Sequence, residues 1–153
     1  MKSLAETYKP DSRCFGCGPA NEKGLKLRSF PEGDGCVAEF RAEPHHEAFP
    51  GVLNGGIIGT LFDCHSAWTA TWVLHRAAPD KPLPSVVTAD FHVTLRRPAP
   101  SREPVVLRAK AVEQGQDWAV VEATLEAGGK ICATCRGKFV AVKEGHPAFS
   151  RAG

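Results

Sequence analysis

The longest apolar stretch of the chain covers residues 55–74, and polar side chains interrupt it at only a few positions. The stretch is long enough to cross a bilayer, but it contains Asp63, His65 and several hydroxyl groups, which disfavour a membrane-spanning helix. A helix that is apolar on nearly every side can instead lie buried inside a globular fold. We therefore predict a buried helix that ends near His75 and Arg76, before the breaker residue Pro79.

After this helix the hydrophobic period changes from 3.6 residues to two. Ala89, Phe91, Val93 and Leu95 alternate with more polar neighbours in a segment that begins at Val86, which is typical of a β-strand. The same reasoning predicts four further strands, at residues 36–43, 104–114, 117–127 and 130–143.

Tight turns join most of these strands, and they indicate how the strands pair. Gly115–Gln116 and Gly128–Gly129 are typical hairpin turns, and hairpins imply antiparallel pairing. A single apolar helix needs a sheet to cover it, so we predict an α+β fold in which a curved antiparallel β-sheet wraps around one long central helix. An outer sheet face or an edge is then left for a second subunit.

The order of these elements divides the chain into three segments. Residues 1–35 are predicted to be an irregular N-terminal segment packed on the domain, because glycines and prolines interrupt any period there. Residues 36–145 form the domain, and residues 146–153 form a C-terminal tail.

Composition and charge narrow the class of protein. The chain has 153 residues, of which 42% are hydrophobic and 24% are charged, as in ordinary globular domains. The formal net charge of +2 gives no general reason to expect nucleic acid or a membrane surface as a partner. The N-terminal residues are too polar for a secretory signal, so a cytoplasmic location is expected.

The six cysteines include two Cys-x-x-Cys pairs, Cys14–Cys17 and Cys132–Cys135, whose four thiolates could bind zinc. The second pair lies in a predicted strand, where residues three apart point to opposite faces. Cys135 is in phase with Ile131, Ala133 and Phe139, which indicates a core position. We therefore predict no metal site made of both pairs and no cofactor. A metal-binding or redox role for the first pair, or a zinc-stabilised interaction module, stays open.

The start of the predicted helix carries the first candidate chemistry. Asn54 is a good N-cap, and Gly55 and Gly56 follow it. The first backbone N–H groups of a helix have no intrahelical partner and lie at its positive end, so they can stabilise a carbonyl oxygen that gains negative charge. Alternatively, the two glycines only allow the helix to pack tightly against the sheet.

Asp63 carries the second candidate chemistry, because an unpaired carboxylate inside an apolar helix is costly. The plainer alternative is a carboxylate bonded to a nearby hydroxyl such as Thr60 or Ser66. Eight residues at about 1.5 Å each separate Asp63 from Gly55 by about 12 Å along the helix. One reacting carbonyl cannot touch both, so joint action on one substrate requires two helices and hence a homodimer.

At this point the sequence resembles a known family. The run from His46 to Asp63 is similar to the signature of hotdog-fold thioesterases, in particular the phenylacetate-pathway type, in which His-Gly-Gly, six residues and Asp follow one another. Three further segments are similar to family motifs: Cys14–Pro19 with the nearby Asn21, Gly24 and Leu25; Thr88–Ala99; and Ala133–Phe139.

The resemblance implies hydrolysis of an acyl-CoA thioester by a homodimer or a dimer of dimers, with the CoA ester as substrate. The Gly55 amide would polarise the thioester carbonyl, and Asp63 of the other chain would act as nucleophile or general base. Thr88 matches a family hydroxyl that helps to place the water or the carboxylate. Asn54 departs from the family, which usually has His there, and Asn cannot titrate.

Several residues are candidates for substrate binding. Gly56 and His46 lie beside the helix start, and Arg136 and Lys138 could meet CoA phosphates, as could Arg96 and Arg97. A solvated strand face explains the four cations equally well. Because Asn54 stands where the family usually has His, an alternative function also stays open, namely a non-catalytic acyl-CoA sensor or carrier that uses the same pocket.

Overall fold

The computed structural model describes residues 1–149, which contain two helices, a 3-10 turn at Pro44–His46 and eight strands. The helices are α1 (Leu4–Tyr8) and α2 (Gly55–Ala77). The strands are β1 (Phe30–Glu32), β2 (Gly35–Phe40), β3 (Glu47–Phe49), β4 (Val52–Leu53), β5 (Ser85–Leu95), β6 (Val105–Gln114), β7 (Trp118–Ala127) and β8 (Lys130–Val142).

Helix α2 is the predicted buried helix. Asn54 caps it, and it ends at Ala77, just beyond the predicted His75–Arg76. Buried side chains occur on every side of it, among them Leu61, Phe62 and Ala70. Within residues 1–149, no helix combines the length and the hydropathy that a bilayer crossing requires.

Six strands form one antiparallel sheet in the order β1-β2-β6-β7-β8-β5. Helix α2 packs against five of them, β2, β5, β6, β7 and β8. Five strands about 4.8 Å apart are much wider than a helix with a diameter of about 10 Å, so the sheet must curl to reach α2 from both sides. The predicted α+β arrangement of one sheet around one helix is confirmed.

The two predicted hairpin turns are also present. Gly128 and Gly129 join β7 to β8 with φ angles of +56° and +78°, the left-handed conformation that glycine adopts without strain. The Gly115 N–H donates to the Trp118 carbonyl between β6 and β7. Strands β6, β7 and β8 begin and end within one residue of their predicted bounds.

The N-terminal segment is more regular than predicted. Ser3 and Glu6 form a reciprocal capping box at the start of α1, and β1 extends the main sheet by pairing with β2. A third short feature, the β3–β4 hairpin, precedes α2. These elements have two to five residues, which is too few for a hydrophobic period to reveal them. Of the predicted tail, residues 150–153 lie outside the described residues.

Two β-bulges interrupt the strand pairing, with different consequences. The pairing of β5 with β8 slips between Thr88 and Asp90, yet beyond it Phe91 and Leu95 pair with buried residues of β8 and lie on the same sheet face as these. Phe91 and Leu95 are nonetheless 41% and 57% exposed in the chain. A second slip, opposite the start of β8, leaves Ile131 exposed although it was predicted to be in phase with the core, because the inserted residue reverses the face of the residues beyond it.

His65 is fully buried and ties α2 to the sheet. Its Nε2 lies 3.1 Å from the Cys36 carbonyl, and its Nδ1 lies 2.7 Å from the Ser29 hydroxyl. A carbonyl only accepts, so Nε2–H donates to Cys36 and the neutral ring accepts the Ser29 hydroxyl at Nδ1. Burial lowers the pKa of His65 to about 4. His65 is therefore a neutral core residue.

The lowered pKa predicts acid destabilisation through His65. Between pH 6.5 and 4 the unfolded chain binds a proton there and the folded chain does not, so the free energy of unfolding falls as pH falls. The loss due to His65 is about 3 kcal/mol at pH 4. Urea unfolding from pH 7 to pH 4 measures it, with His65→Gln as the control that cannot titrate. The stability gap between wild type and variant should narrow by this amount, and a constant gap would contradict the assignment.

Candidate active site

The first turn of α2 has open backbone amides. The Asn54 side-chain oxygen accepts the Ile57 N–H at 3.1 Å, as predicted for an N-cap. Gly55 and Gly56 are exposed, and a Cβ at Gly55 would meet only the end of the Leu95 side chain at 3.4 Å. Tight packing against the sheet therefore does not require glycine here, which leaves the first turn accessible to a ligand.

A surface groove runs past this helix start. It is lined by Ala48, Phe49, Val52, Leu53, Gly55, Ile58 and residues 95–99, which include Arg96 and Arg97. The Asn54 N–H donates to the His46 carbonyl at 3.0 Å, and the Leu53 N–H donates to the Ala99 carbonyl at 2.9 Å. These two bonds fix the segment that leads into α2, so the direction of its first amides is set by the surrounding backbone.

Asp63 lies two turns further along α2 and is half-buried. Its carboxylate accepts a hydrogen bond of 2.6 Å from the Thr88 hydroxyl on β5, not from Thr60 or Ser66, the neighbours considered from the sequence. Burial raises the pKa of Asp63, the Thr88 hydrogen bond partly offsets this, and the nearby Cys14 adds to the increase. Within residues 1–149, no cation forms a salt bridge with Asp63.

Asp63 faces a cavity of about 240 Å³ between α2, β5 and the N-terminal segment. One wall is apolar and includes Trp68, Leu83 and Val86. The other lining residues are Lys9, Cys14, Cys17, Cys64, Ala67, Thr71, Pro84, Val87 and Thr88. Proximity to an apolar wall is what raises the free energy of the charged Asp63 carboxylate.

The groove at Gly55 and the cavity at Asp63 share no lining residue. Both residues are on helix α2, where eight residues span about 12 Å. Within one chain, the open amides and the buried carboxylate are therefore in separate pockets. This is the geometry that the spacing predicted.

Three further predicted binding residues do not line either of these two pockets. His46 is in neither lining, because its ring is buried against Phe40 and His45. Burial lowers its pKa, and its Nδ1 accepts the Glu43 N–H. His46 contributes to the site through its backbone carbonyl, which accepts the Asn54 N–H.

Arg136 and Lys138 are on exposed positions of β8. Arg136 pairs with Glu122 at 2.6 Å and with Glu113 at 3.9 Å. The Lys138 ammonium lies 5.1 Å from the centre of the Trp118 ring. Neither side chain lines the groove or the cavity, because exposed and buried side chains alternate along this strand.

Three thiols in the cavity were not predicted to come together. Cys14 and Cys17 approach Cys64 on α2, next to Asp63, whereas the Cys132–Cys135 pair belongs to β8. Fifty residues separate Cys14 from Cys64, so no local motif connects them. The Cys-x-x-Cys pair was the only signal, and it does not identify its third member.

Comparison with known proteins identifies the family. The sequence profile of the Thioesterase superfamily matches residues 50–133, more than half of the chain, and the chain therefore belongs to that superfamily. The matched range contains Gly55, Asp63 and Thr88. Membership supports an enzyme that hydrolyses thioesters. No curated protein sequence matches the chain significantly.

Solved structures agree with this family. A thioesterase superfamily protein from Shewanella loihica PV-4 is 29% identical, covers 86% of this chain and 96% of its own, and has a TM-score of 0.65. A thioesterase from Haemophilus influenzae is 17% identical, with 95% and 96% covered and a TM-score of 0.73.

The PaaI protein of the E. coli phenylacetic acid degradation operon is 16% identical, with 78% and 81% covered and a TM-score of 0.64. The hotdog-fold prediction is confirmed by these similarities.

Proposed function

We propose that two copies of this chain hydrolyse an acyl-CoA thioester to a free acid and CoA at a site shared between them. The observation that carries the proposal is the Asp63 carboxylate, which is half-buried beside an apolar wall and has a hydroxyl rather than a cation as its partner. A carboxylate in this setting is costly for stability and is suited to accept a proton or to attack a carbonyl.

The open amides at the start of α2 supply the electrophilic half of the site. The Gly55 N–H is at the first helical position, where it has no intrahelical acceptor and where the helix dipole favours negative charge. A thioester oxygen bound there is stabilised as the carbonyl becomes tetrahedral. The Asn54 side chain still caps this turn by accepting the Ile57 N–H. Unlike the histidine that the family usually has at this position, its amide cannot titrate.

Asp63 supplies the other half, with Thr88 holding one carboxylate oxygen. As general base, Asp63 takes a proton from water while the water oxygen bonds to the thioester carbon; the carbon–sulfur bond breaks, and CoA leaves as a thiol once protonated. As nucleophile, the Asp63 carboxylate attacks the thioester carbon, the carbon–sulfur bond breaks and CoA leaves as the thiolate; water then cleaves the mixed anhydride to the free acid and the Asp63 carboxylate. Both routes use the same carboxylate.

The partner subunit completes the site because Gly55 and Asp63 occupy separate pockets of one chain. Within residues 1–149, β5 pairs only with β8, so its other edge is available for a strand of a second copy. The exposed Phe91 and Leu95 lie on this strand, and Leu95 also lines the groove at Gly55. Pairing through β5 gives a dimer, which a dimer of dimers can extend.

The surroundings of each pocket suit the two ends of an acyl-CoA. The apolar wall beside Asp63 suits the acyl group. Arg96 and Arg97 are exposed in the groove with Gly55, which favours them as partners for the CoA phosphates. Arg136 is already paired with two carboxylates, which makes it a weaker candidate for phosphate binding than Arg96 and Arg97.

Replacing Asp63 with asparagine tests the catalytic carboxylate. The Asp63→Asn side chain keeps its volume and an acceptor for Thr88, but its amide can neither take a proton nor attack a carbonyl. The kcat for hydrolysis of aromatic and aliphatic acyl-CoA esters, measured by the release of free thiol, should fall by about 10³-fold. Equal kcat in the variant would contradict the mechanism. Saturable binding by wild type without turnover of any ester would favour a binding protein instead.

The Gly55 amide is tested by a matched pair of variants. Gly55→Pro deletes the N–H at the first helical position, where proline is tolerated, and the extended conformation of Asn54 (φ −62°, ψ 135°) is suitable before proline. Gly55→Ala keeps the N–H and adds a Cβ with room for it. Gly55→Pro should lower kcat by about a hundredfold, whereas Gly55→Ala should stay near wild type. Equal losses would show that the N–H itself is not used.

A further inference from the structure

Three cysteine side chains from two distant parts of the chain meet at the cavity. Cys14 and Cys17 belong to the N-terminal loop, and Cys64 follows Asp63 on α2. The sulfurs of Cys14 and Cys64 are 3.7 Å apart, and all three sulfurs lie within 4.8 Å of one another. Cys17 and Cys64 are buried, while Cys14 is half-buried.

The loop that carries two of these thiols is held rigidly against α2. A Cβ at Gly16 would lie 2.3 Å from the Cys64 sulfur, so only glycine allows the backbone to come this close. The Gly18 N–H donates to the Cys14 carbonyl at 2.8 Å, and the Leu27 N–H donates to the Gly16 carbonyl at 2.9 Å. The sulfur positions are therefore set by the backbone before any ligand binds.

Hydrogen-bond donors surround the sulfurs. The Trp68 indole N–H, which can only donate, lies 3.4 Å from the Cys17 sulfur. The thiols of Cys17 and Cys64, and then the backbone N–H groups of Cys17 and Gly16, lower the pKa of Cys14. The same contacts between thiols raise the pKa of Cys64, and that with Cys14 raises the pKa of Cys17. The three sulfurs are thus in mutual contact, and the Trp68 N–H adds a donor to one of them.

We propose that Cys14, Cys17 and Cys64 form a binding site for a thiophilic d10 cation, Zn²⁺ or Cu⁺. Thiolates about 2.3 Å from a tetrahedral zinc ion lie about 3.8 Å from one another, close to the observed separation of Cys14 and Cys64. The Trp68 N–H is the kind of outer partner that orients a metal-bound thiolate. The three thiols line the same cavity as Asp63, but the metal site does not rest on the proposed hydrolysis, and the bound ion fastens the N-terminal segment to α2.

Charge and protons balance for this site. Three thiols that bind Zn²⁺ as thiolates release three protons, and the resulting tris-thiolate zinc centre carries a charge of −1. Water or a small ligand from the cavity fills the fourth position of a tetrahedral ion. Cu⁺ is satisfied by the three sulfurs alone, and three thiolates around it give a charge of −2 after the release of three protons.

Metal titration of the full chain tests the proposal without any substrate, so its outcome is separate from that of the hydrolysis tests. Wild-type protein, stripped by a chelator and kept reduced by a phosphine, is titrated with Zn²⁺, with Co²⁺ as spectroscopic substitute, and in a separate arm with Cu⁺. We expect one ion per chain, release of protons on binding, and thiolate-to-cobalt charge-transfer absorption. The two arms identify which d10 ion the site prefers.

Cys14→Ser is the test variant, because Cys14 is the least buried of the three. Its affinity should fall by about a hundredfold or more, since even outer partners of a metal ligand contribute 10- to 100-fold. Cys132→Ser is the matched control, because it removes a buried thiol outside the cluster and should bind like wild type. The bound ion should raise the Tm of wild type and control only.

Folded, fully reduced wild type that binds neither Zn²⁺ nor Cu⁺ more tightly than Cys14→Ser would overturn the proposal. If Cys14→Ser does not fold, wild type alone decides, because absence of cobalt–thiolate absorption at one equivalent overturns it equally.

Discussion

The fold and the site both depend on the burial of one apolar helix by one sheet. Helix α2 has buried side chains on every side, so the sheet must curl around it and the N-terminal segment must cover what remains. Asp63 is placed within this apolar surface and is held by a single hydroxyl of β5. The burial that stabilises the helix is therefore also what raises the free energy of its carboxylate.

The same helix separates the two halves of the chemistry. Its first turn offers free amides to a groove, and Asp63 two turns later faces a different cavity. The first turn and Asp63 stay about 12 Å apart along one helix, because the rise per residue fixes their separation. The proposed joint action of both points on one substrate therefore calls for a second copy, and the edge of β5 that is unpaired within residues 1–149 is a surface for it.

Strong local signals made the helix and the hairpins predictable from sequence. The apolar stretch, the Asn54 cap and Gly128–Gly129 act within a few residues, so a linear pattern reveals them. The bulge beside Thr88 could not be predicted, because a one-residue slip depends on how two strands pair. The same limit applies to Cys64, whose partners lie some fifty residues away in the sequence and meet it only in the folded chain.

The predicted site residues also differ in whether local sequence was enough to place them. Gly55 and Asp63 were identified from the conflict between their chemistry and a buried helix, and their separation followed from helix geometry alone. Arg136 and Lys138 were selected from charge and motif resemblance, and the structure instead gives them partners on the outer surface of β8. Charge along a strand does not reveal which face it occupies or which acid lies opposite.

Subunit complementation tests most directly whether the site is shared. Asp63→Asn and Gly55→Pro chains with different affinity tags are coexpressed, and the doubly tagged heterodimer is purified and assayed for thioester hydrolysis. A shared site leaves one of the two sites of the heterodimer intact, so about half of wild-type activity should return although each parent is nearly inactive. A heterodimer no more active than its parents would contradict the account, because it would place both groups in the same chain.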